Sequence, residues 1–97
     1  MSSPQVLAFL IDDINEEKFA SHGLTASRVY QVLENEYLIL RNRRAATGLY
    51  LILGRDRGGA CLAVPIESTY DRTLWRPVTA WSCKAKEKAL LDRSGGA

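Results

Sequence analysis

Arginine side chains are concentrated between residues 41 and 57, in the stretch RNRRAATGLYLILGRDRGG. A guanidinium binds two oxygens of one phosphate at once, so such a cluster predicts a site for a polyanion. A turn also needs polar residues whatever its function, and a solvated hairpin loop is the alternative interpretation. The five arginines bracket one apolar run and have a single acid, Asp56, among them; they are Arg41, Arg43, Arg44, Arg55 and Arg57.

The single histidine, His22, is the residue type best suited to proton transfer. Histidine can accept or donate a proton near neutral pH. His22 stands directly before Gly23 at an expected helix end, where a cation also favours the helix dipole. A catalytic role and a structural role are therefore both open. With one histidine a two-histidine mechanism is excluded, so a lysine, tyrosine, glutamate or arginine-assisted water would have to carry the second proton.

Common motifs for metal, nucleotide or hydrolase chemistry are not visible in the sequence, and we expect no metal and no cofactor. Cys61 and Cys83 lie far apart without CxxC spacing. This favours buried, reduced thiols of a cytoplasmic protein over a disulfide or a metal site. The longest apolar run, VLAFLI at residues 6 to 11, is too short to span a bilayer, and we expect no signal peptide.

The charge is unevenly distributed, although the formal net charge of the 97 residues is only +2. Residues 1 to 36 carry six acids against two bases, and residues 37 to 97 carry eleven bases against five acids. A basic surface attracts polyanions, and salt should weaken the attraction. The length suits one domain, which we place at residues 1–93, followed by a flexible tail at residues 94–97.

Hydrophobic periodicity predicts a short strand, two helices, a four-strand meander and a terminal helix. Thr25 is the expected cap of the second helix and Ser82 that of the last. Pro65 and Pro77 lack an N–H, so each should lie at a strand end, an edge or a bulge. Helices grouped before an antiparallel sheet predict an α+β, two-layer fold, in which N-terminal helices pack on a four-stranded antiparallel sheet with a C-terminal helix. The four strand-like runs are EYLILRN, GLYLILGR, ACLAVPIES and LWRPVTAW.

The second face of this sheet is expected to stay free of helices and to present side chains to a ligand. Trp75 and Trp81 share strand parity, which predicts that both tryptophans face away from the helices. A tryptophan on an open sheet face can stack a nucleobase, worth roughly 1–3 kcal/mol per base. The alternative for Trp81 is that it covers a sheet edge or the start of the last helix.

The order of elements and three short motifs resemble the BrnT-like branch of the RelE/ParE toxin superfamily. The motifs are KFASHGLTASRV, LILGRDRGG and WRPVTAWSCKAKEKALL. The likeness covers most of residues 10 to 91. It implies a small bacterial toxin of a type II toxin–antitoxin system, a metal-independent endoribonuclease that acts in the cytoplasm. It also implies a small cognate antitoxin, for which a ribbon-helix-helix protein is one expectation. RNA as substrate, a toxin–antitoxin hetero-oligomer and no membrane association are implied as well.

The resemblance assigns roles to individual residues. His22 matches the histidine of the His-Gly step, Arg55 the arginine after the strand glycine and Arg76 the arginine that opens the last strand. Glu87 matches the acid of the last helix and completes the catalytic set. Arg76 has an alternative role as the structural partner of an acid such as Glu67. The expected substrate-binding residues are Lys18, Arg41, Arg43, Arg44, Arg57, Trp81 and Lys84.

A second function stays open from the sequence. The chain would then be a non-catalytic binding module of the same fold, acting on RNA or on a protein target such as gyrase. Trp81 and Ser21 favour this alternative because each occupies the place of a basic residue in the family pattern. His22, Arg55 and Arg76 favour the enzyme.

Overall fold

The computed structural model describes residues 4–43 and 48–94 of the chain. Its elements confirm the predicted α+β class, with three helices and a mixed sheet of six strands. A single 3-10 turn, Val32–Glu34, follows the second helix. The strands are β1 (Ala8–Phe9), β2 (Tyr37–Arg41), β3 (Tyr50–Arg55), β4 (Cys61–Ser68), β5 (Leu74–Pro77) and β6 (Trp81–Ser82), and the helices are α1 (Asp13–Ser21), α2 (Ala26–Gln31) and α3 (Ala85–Arg93).

The sheet contains the predicted meander but is larger and not entirely antiparallel. Its strand order is β1-β5-β4-β3-β2, and β6 also pairs with β4. The four meander strands pair antiparallel with their neighbours, whereas β1 pairs parallel with β5. The prediction of four antiparallel strands was therefore wrong in number and in kind, because the short first strand joins the edge of the sheet and the last predicted strand divides in two.

The division of LWRPVTAW follows from a change of register. Pro77 of β5 pairs with Ile66 of β4, whereas Trp81 of β6 pairs with Ala63. Positions 77 to 81 on one side thus face positions 66 to 63 on the other, so one strand carries an extra residue, as in a β-bulge. A shift of one residue reverses which face a side chain lies on. Trp75 and Trp81 therefore lie on opposite faces, and the prediction from their shared parity was wrong.

Both prolines lie where strands tolerate them, as predicted. Pro77 is the last residue of β5. The carbonyl of Pro65 accepts a hydrogen bond from the Val78 N–H at 2.9 Å. The N and the carbonyl of one residue point to the same side of a strand, so the missing N–H of Pro65 faces the break between β5 and β6.

The two N-terminal helices have well-defined ends. Asp12 accepts from the Asn15 N–H at 2.8 Å, and the Asn15 side chain accepts in return from the Asp12 N–H. This is a capping box. Gly23 stops α1 in the left-handed region with φ of 73°. Thr25 caps α2, as predicted, by accepting from the Arg28 N–H at 3.2 Å.

Helices cover both faces of the sheet, so the predicted two-layer arrangement with one open face was wrong. Phe19 of α1 and Val29 of α2 are fully buried in the main core, together with Ile52 of β3. The adjacent residue of β3, Leu53, points to the other face and packs in a second cluster with Leu91 of α3. The alternation along β3 thus places α1 and α2 on one face and α3 on the other.

A disulfide joins Cys61 at the start of β4 to Cys83, which follows β6. The expectation of reduced thiols was therefore wrong. The pairing of Leu62 with Ser82 makes the two cysteines cross-strand neighbours, with their Cα atoms 5.3 Å apart. This distance lies in the usual range for a disulfide. The predicted cap of the last helix, Ser82, belongs to β6 instead, and α3 begins after Lys84.

Candidate nucleic-acid-binding cleft

A cleft of about 320 Å³ lies between the end of β2 and the start of α3. Trp81 of β6 and Leu51 of β3 form its floor with other side chains of the second cluster. Basic residues of β2 and of the segment that follows it form one wall, and the first turn of α3 forms the other. The lining residues are Leu40, Arg41, Asn42, Arg43, Leu51, Trp81, Lys84 and Glu87.

Glu87 fixes the geometry of the α3 wall. Its Oε1 accepts a hydrogen bond from the Trp81 indole Nε1–H at 3.1 Å and another from the Lys84 backbone N–H at 2.8 Å. The second bond satisfies one of the free N–H groups at the start of α3. One carboxylate therefore holds the indole and the helix terminus in place together.

The cleft has an excess of positive charge. Arg41, Arg43 and Lys84 are exposed, and no carboxylate of the described residues lies within salt-bridge distance of them. Three cations therefore line a cleft that contains one carboxylate, Glu87, which is already engaged by an indole. Such a surface attracts a polyanion and offers forked and point-like donors for its oxygens.

Arg76 is held by two acids rather than presented to a ligand. Its Nε and Nη2 groups donate to Asp12 at 2.8 and 3.2 Å, and its Nη1 donates to Glu67 at 2.9 Å. The hydrogen bond from Arg76 is the main cause that lowers the pKa of Asp12, and the same contact raises the pKa of Arg76. The pairing of Arg76 with Glu67, which the sequence left open, is present in the structure, and the guanidinium joins β5 to the cap of α1.

Arg55 and Arg57 are also paired. Arg55 donates to Asp92 near the end of α3 and to the Gly59 carbonyl. Arg57 forms a bidentate pair with Glu34, at 2.9 and 2.8 Å, which lowers the pKa of Glu34. Both arginines flank the turn between β3 and β4, and Arg55 lies about 13 Å along β3 from the cleft residue Leu51.

The same turn is fixed by a buried aspartate. Asp56 accepts from Arg28 at 3.0 Å and from the Ala60 N–H at 2.9 Å. Burial alone would raise the pKa of Asp56, but these hydrogen bonds outweigh it and the pKa is lowered. The turn between β3 and β4, which the sequence predicted to be part of a basic site, therefore has its charged side chains engaged in ion pairs and hydrogen bonds.

His22 and Lys18 lie in the helical layer on the opposite face of the sheet from α3. His22 is the exposed C-terminal cap of α1, and its backbone N–H donates to the Phe19 and Ala20 carbonyls. Lys18 lies on an exposed face of α1 beside Ile14, Glu17 and Ser21. The sheet separates both residues from Glu87, so His22 and Glu87 cannot contact one reacting group.

About half of the predicted site residues thus line one cleft, and the others lie elsewhere in the structure. Arg44 lies outside the described residues. The sequence did not reveal Leu40 and Leu51 as part of the site, although their strand parity with the second cluster is a usable signal. Brought together in the cleft are Arg41, Arg43, Trp81, Lys84 and Glu87; lying elsewhere are Lys18, His22, Arg55, Arg57 and Arg76.

No protein-family model, curated protein or solved structure matches the chain. Within residues 4–43 and 48–94 no group of three His, Cys, Asp or Glu side chains is placed to hold a metal ion. No helix in that part of the chain is long and apolar enough to cross a membrane.

Proposed function

We propose that this protein is a BrnT-like toxin of the RelE/ParE type that holds single-stranded RNA in the cleft between β2 and α3. The observation that carries the proposal is the convergence of Arg41, Arg43 and Lys84 on Trp81, with no acid of the described residues paired to the three cations. Proteins that bind single strands commonly combine cations for the phosphates with an aromatic platform for a base.

The cleft offers separate places for the two parts of a nucleotide. The exposed guanidinium groups of Arg41 and Arg43 and the Lys84 ammonium can contact phosphate oxygens along the rim. The half-buried Trp81 and the apolar side chains of Leu40 and Leu51 can contact a base. A duplex hides its bases inside the stack, so this arrangement favours a single strand.

Cleavage of that RNA would use residues of the cleft only. The 2′-hydroxyl oxygen attacks the adjacent phosphorus, a base takes the hydroxyl proton, and an acid protonates the leaving 5′-oxygen. Glu87 can take the proton through Oε2, because its Oε1 already accepts from Trp81 and Lys84. The Lys84 ammonium can supply the proton to the leaving oxygen, and the two arginines can stabilise the negative charge on the non-bridging oxygens of the phosphate.

A specific observation favours the second candidate, a non-catalytic module that binds RNA or a protein target. Arg55 and Arg76, two of the four residues that the family resemblance names as catalytic, are engaged by carboxylates. A third, His22, lies on the other side of the sheet. The residues that the family resemblance names as catalytic therefore do not lie together in this structure. If the protein is an enzyme, the reaction has to use the residues of the cleft.

The same cleft indicates the chemistry that the proposed antitoxin should have. A toxin whose cationic cleft is open needs a cover, and an acidic, partly apolar segment complements three cations around an indole. Co-expression with the neighbouring reading frame and affinity capture tests this. We expect the captured complex to protect Arg41 from arginine-specific modification and Trp81 from iodide quenching; a complex that leaves both accessible contradicts the expectation.

The binding proposal is tested with a fluorescein-labelled single-stranded RNA of about ten nucleotides. We expect Trp81→Ala to weaken binding by roughly 10-fold or more, because one base loses its stacking surface. The matched control is Tyr70→Ala, which removes an aromatic side chain that is 90% exposed and lies outside the cleft. Equal affinities of the parent and both variants would contradict binding in the cleft.

The same samples separate the enzyme from the binding module. Parent protein and Glu87→Gln are incubated with the labelled RNA and the fragments are separated by electrophoresis, while induced cells are scored for growth arrest and RNA decay. The enzyme predicts fragments from the parent and at least about 100-fold slower cleavage by Glu87→Gln, since an amide cannot take the proton. Growth arrest by both proteins with intact RNA supports the binding module instead.

A further inference from the structure

Cys83 stands between two residues of the cleft. Trp81 of the floor lies two positions before it, and Lys84 of the α3 wall follows it directly. Its disulfide partner, Cys61, begins β4, the central strand that also pairs with β3 and β6. The disulfide therefore attaches the α3 wall of the cleft to the centre of the sheet.

Few other contacts hold this part of the wall. β6 pairs with β4 through two residue pairs only, and one further backbone hydrogen bond runs from the Cys83 N–H to the Cys61 carbonyl at 2.9 Å. Leu91 is the buried residue of α3, and the ion pair of Asp92 with Arg55 lies near the same C-terminal end of the helix. The start of α3 is thus tied to the sheet by the disulfide and by the hydrogen bond of Glu87 to Trp81 of the short strand β6, whereas its end has contacts that are independent of both.

We infer that the Cys61–Cys83 disulfide controls the cleft: with the bond intact the α3 wall is fixed for ligand binding, and reduction releases the wall and lowers affinity. The part of the inference that concerns RNA rests on the function proposed above. The physical reason is preorganisation, because a wall that must be ordered during binding lowers the affinity that its contacts provide. Neither cysteine is fully buried, so a small thiol can reach the bond.

The chemical step is thiol–disulfide exchange with a dithiol. A thiolate of the dithiol attacks one cysteine sulfur, the bond between the two cysteine sulfurs breaks, and a mixed disulfide forms. The other cysteine leaves as a thiolate in this first exchange. The second thiol of the reagent then closes the reagent's own disulfide and releases the cysteine that was attacked. Cys61 and Cys83 gain two electrons and two protons, and the dithiol is oxidised by the same amount.

The test compares oxidised protein, the same protein in excess dithiothreitol, and the double variant Cys61→Ser/Cys83→Ser. Amide hydrogen exchange of residues 81–90 and affinity for the labelled RNA are measured at a temperature where circular dichroism shows each sample folded. We expect reduction to speed exchange in this segment and to weaken RNA binding by about 10-fold or more. The serine variant should behave like the reduced protein and should not respond to dithiothreitol. Exchange in α1, on the opposite face of the sheet, serves as the internal control.

The two measurements distinguish a failure of the disulfide inference from a failure of the proposed function. Unchanged exchange in residues 81–90 after reduction overturns the inference, whatever the RNA affinity. Strong RNA binding that is the same in oxidised and reduced protein also overturns it and leaves the proposed function intact. If oxidised protein binds no RNA, the proposed function fails, and faster exchange upon reduction still supports control of the cleft wall by the disulfide.

Discussion

The arginines of the cleft and those of the turn between β3 and β4 come from one stretch of sequence but have different surroundings. Arg41 and Arg43 are exposed and have no carboxylate of the described residues within reach. Arg55 and Arg57 are paired with Asp92 and Glu34. The acids that neutralise the turn lie on α3 and at the end of the 3-10 turn, far away in sequence. Local charge density therefore does not show which arginines are available to a ligand.

The two regions also differ in how they are fixed. Hydrogen bonds and ion pairs, partly exposed, hold the turn, and exposed pairs of this kind contribute little stability each. A covalent bond holds the α3 wall of the cleft. The ion pairs of the turn neutralise its arginines. The disulfide fixes the wall of the cleft without neutralising any charge, and among the described residues no carboxylate pairs with Arg41, Arg43 or Lys84. The predictions below test this difference.

The largest expected effect is the loss of the disulfide. The bond closes a loop with a sequence separation of 22, and removing a cross-link of this length lowers the free energy of unfolding by about 3 kcal/mol. Urea denaturation of oxidised protein and of Cys61→Ser/Cys83→Ser measures the difference. A loss below about 1 kcal/mol would show that the second cluster and α3 hold together without the bond.

Arg76→Ala should have the next largest effect on stability. The substitution leaves Asp12 and Glu67 without their shared partner and unties β5 from the cap of α1. We expect the melting temperature to fall by about 5 °C or more. RNA affinity of the folded variant should stay within about 2-fold of the parent, because Arg76 lies outside the cleft. Arg76→Lys is the matched control, which keeps the charge but not the fork. Lost RNA binding at unchanged melting temperature would return Arg76 to a functional role.

Acid should destabilise the protein through Asp12. Its pKa is lower in the folded chain than in the unfolded chain, chiefly because Arg76 donates to it. The unfolded state therefore binds more protons as pH falls, so the stabilisation is complete above the unfolded value of about 4 and is lost as pH falls through the lower folded value. In Asp12→Asn the free energy of unfolding should depend less steeply on pH below about 4. Equal slopes in urea titrations of parent and variant would contradict the assignment.

The smallest effect is expected for Arg57→Ala. The pair with Glu34 is exposed on both sides, with 70% and 46% of the side-chain surfaces accessible. We expect the melting temperature to change by less than about 3 °C and RNA affinity to stay unchanged. Calorimetry and the labelled-RNA assay check both. A marked loss of affinity would mean that the turn binds ligand in spite of its ion pairs.

Local signals were sufficient for most elements. The α+β class, the meander, the Thr25 cap and the two proline positions could be predicted, because each depends on nearby residues or on the period of a strand. Contacts distant in sequence could not. The disulfide and the opposite orientations of Trp75 and Trp81 both depend on the register of β6 against β4, which a one-residue bulge changes.

The residues of the candidate site could likewise be predicted where they are close in sequence. Trp81, Lys84 and Glu87 share the junction of β6 and α3, and Arg41 and Arg43 share the end of β2, so short motifs could identify each group. That the two groups meet follows from the packing of α3 on the second face, which the sequence did not indicate. The ion pairs of Arg55 and Arg76 could not be predicted because their partners, Asp92 and Asp12, are 37 and 64 positions away.

The central claim is that the cleft arginines bind phosphates and the turn arginines do not. Arg41→Gln/Arg43→Gln and Arg55→Gln/Arg57→Gln each remove two positive charges, so the two variants have the same net charge. RNA affinity is measured for both and for the parent across a series of salt concentrations. We expect the cleft variant to lose about 10-fold or more in affinity and its salt slope to fall by about 1.4, because two phosphate contacts to a single strand are lost. The turn variant should keep the slope of the parent. Equal losses of affinity and slope in the two variants would contradict the account.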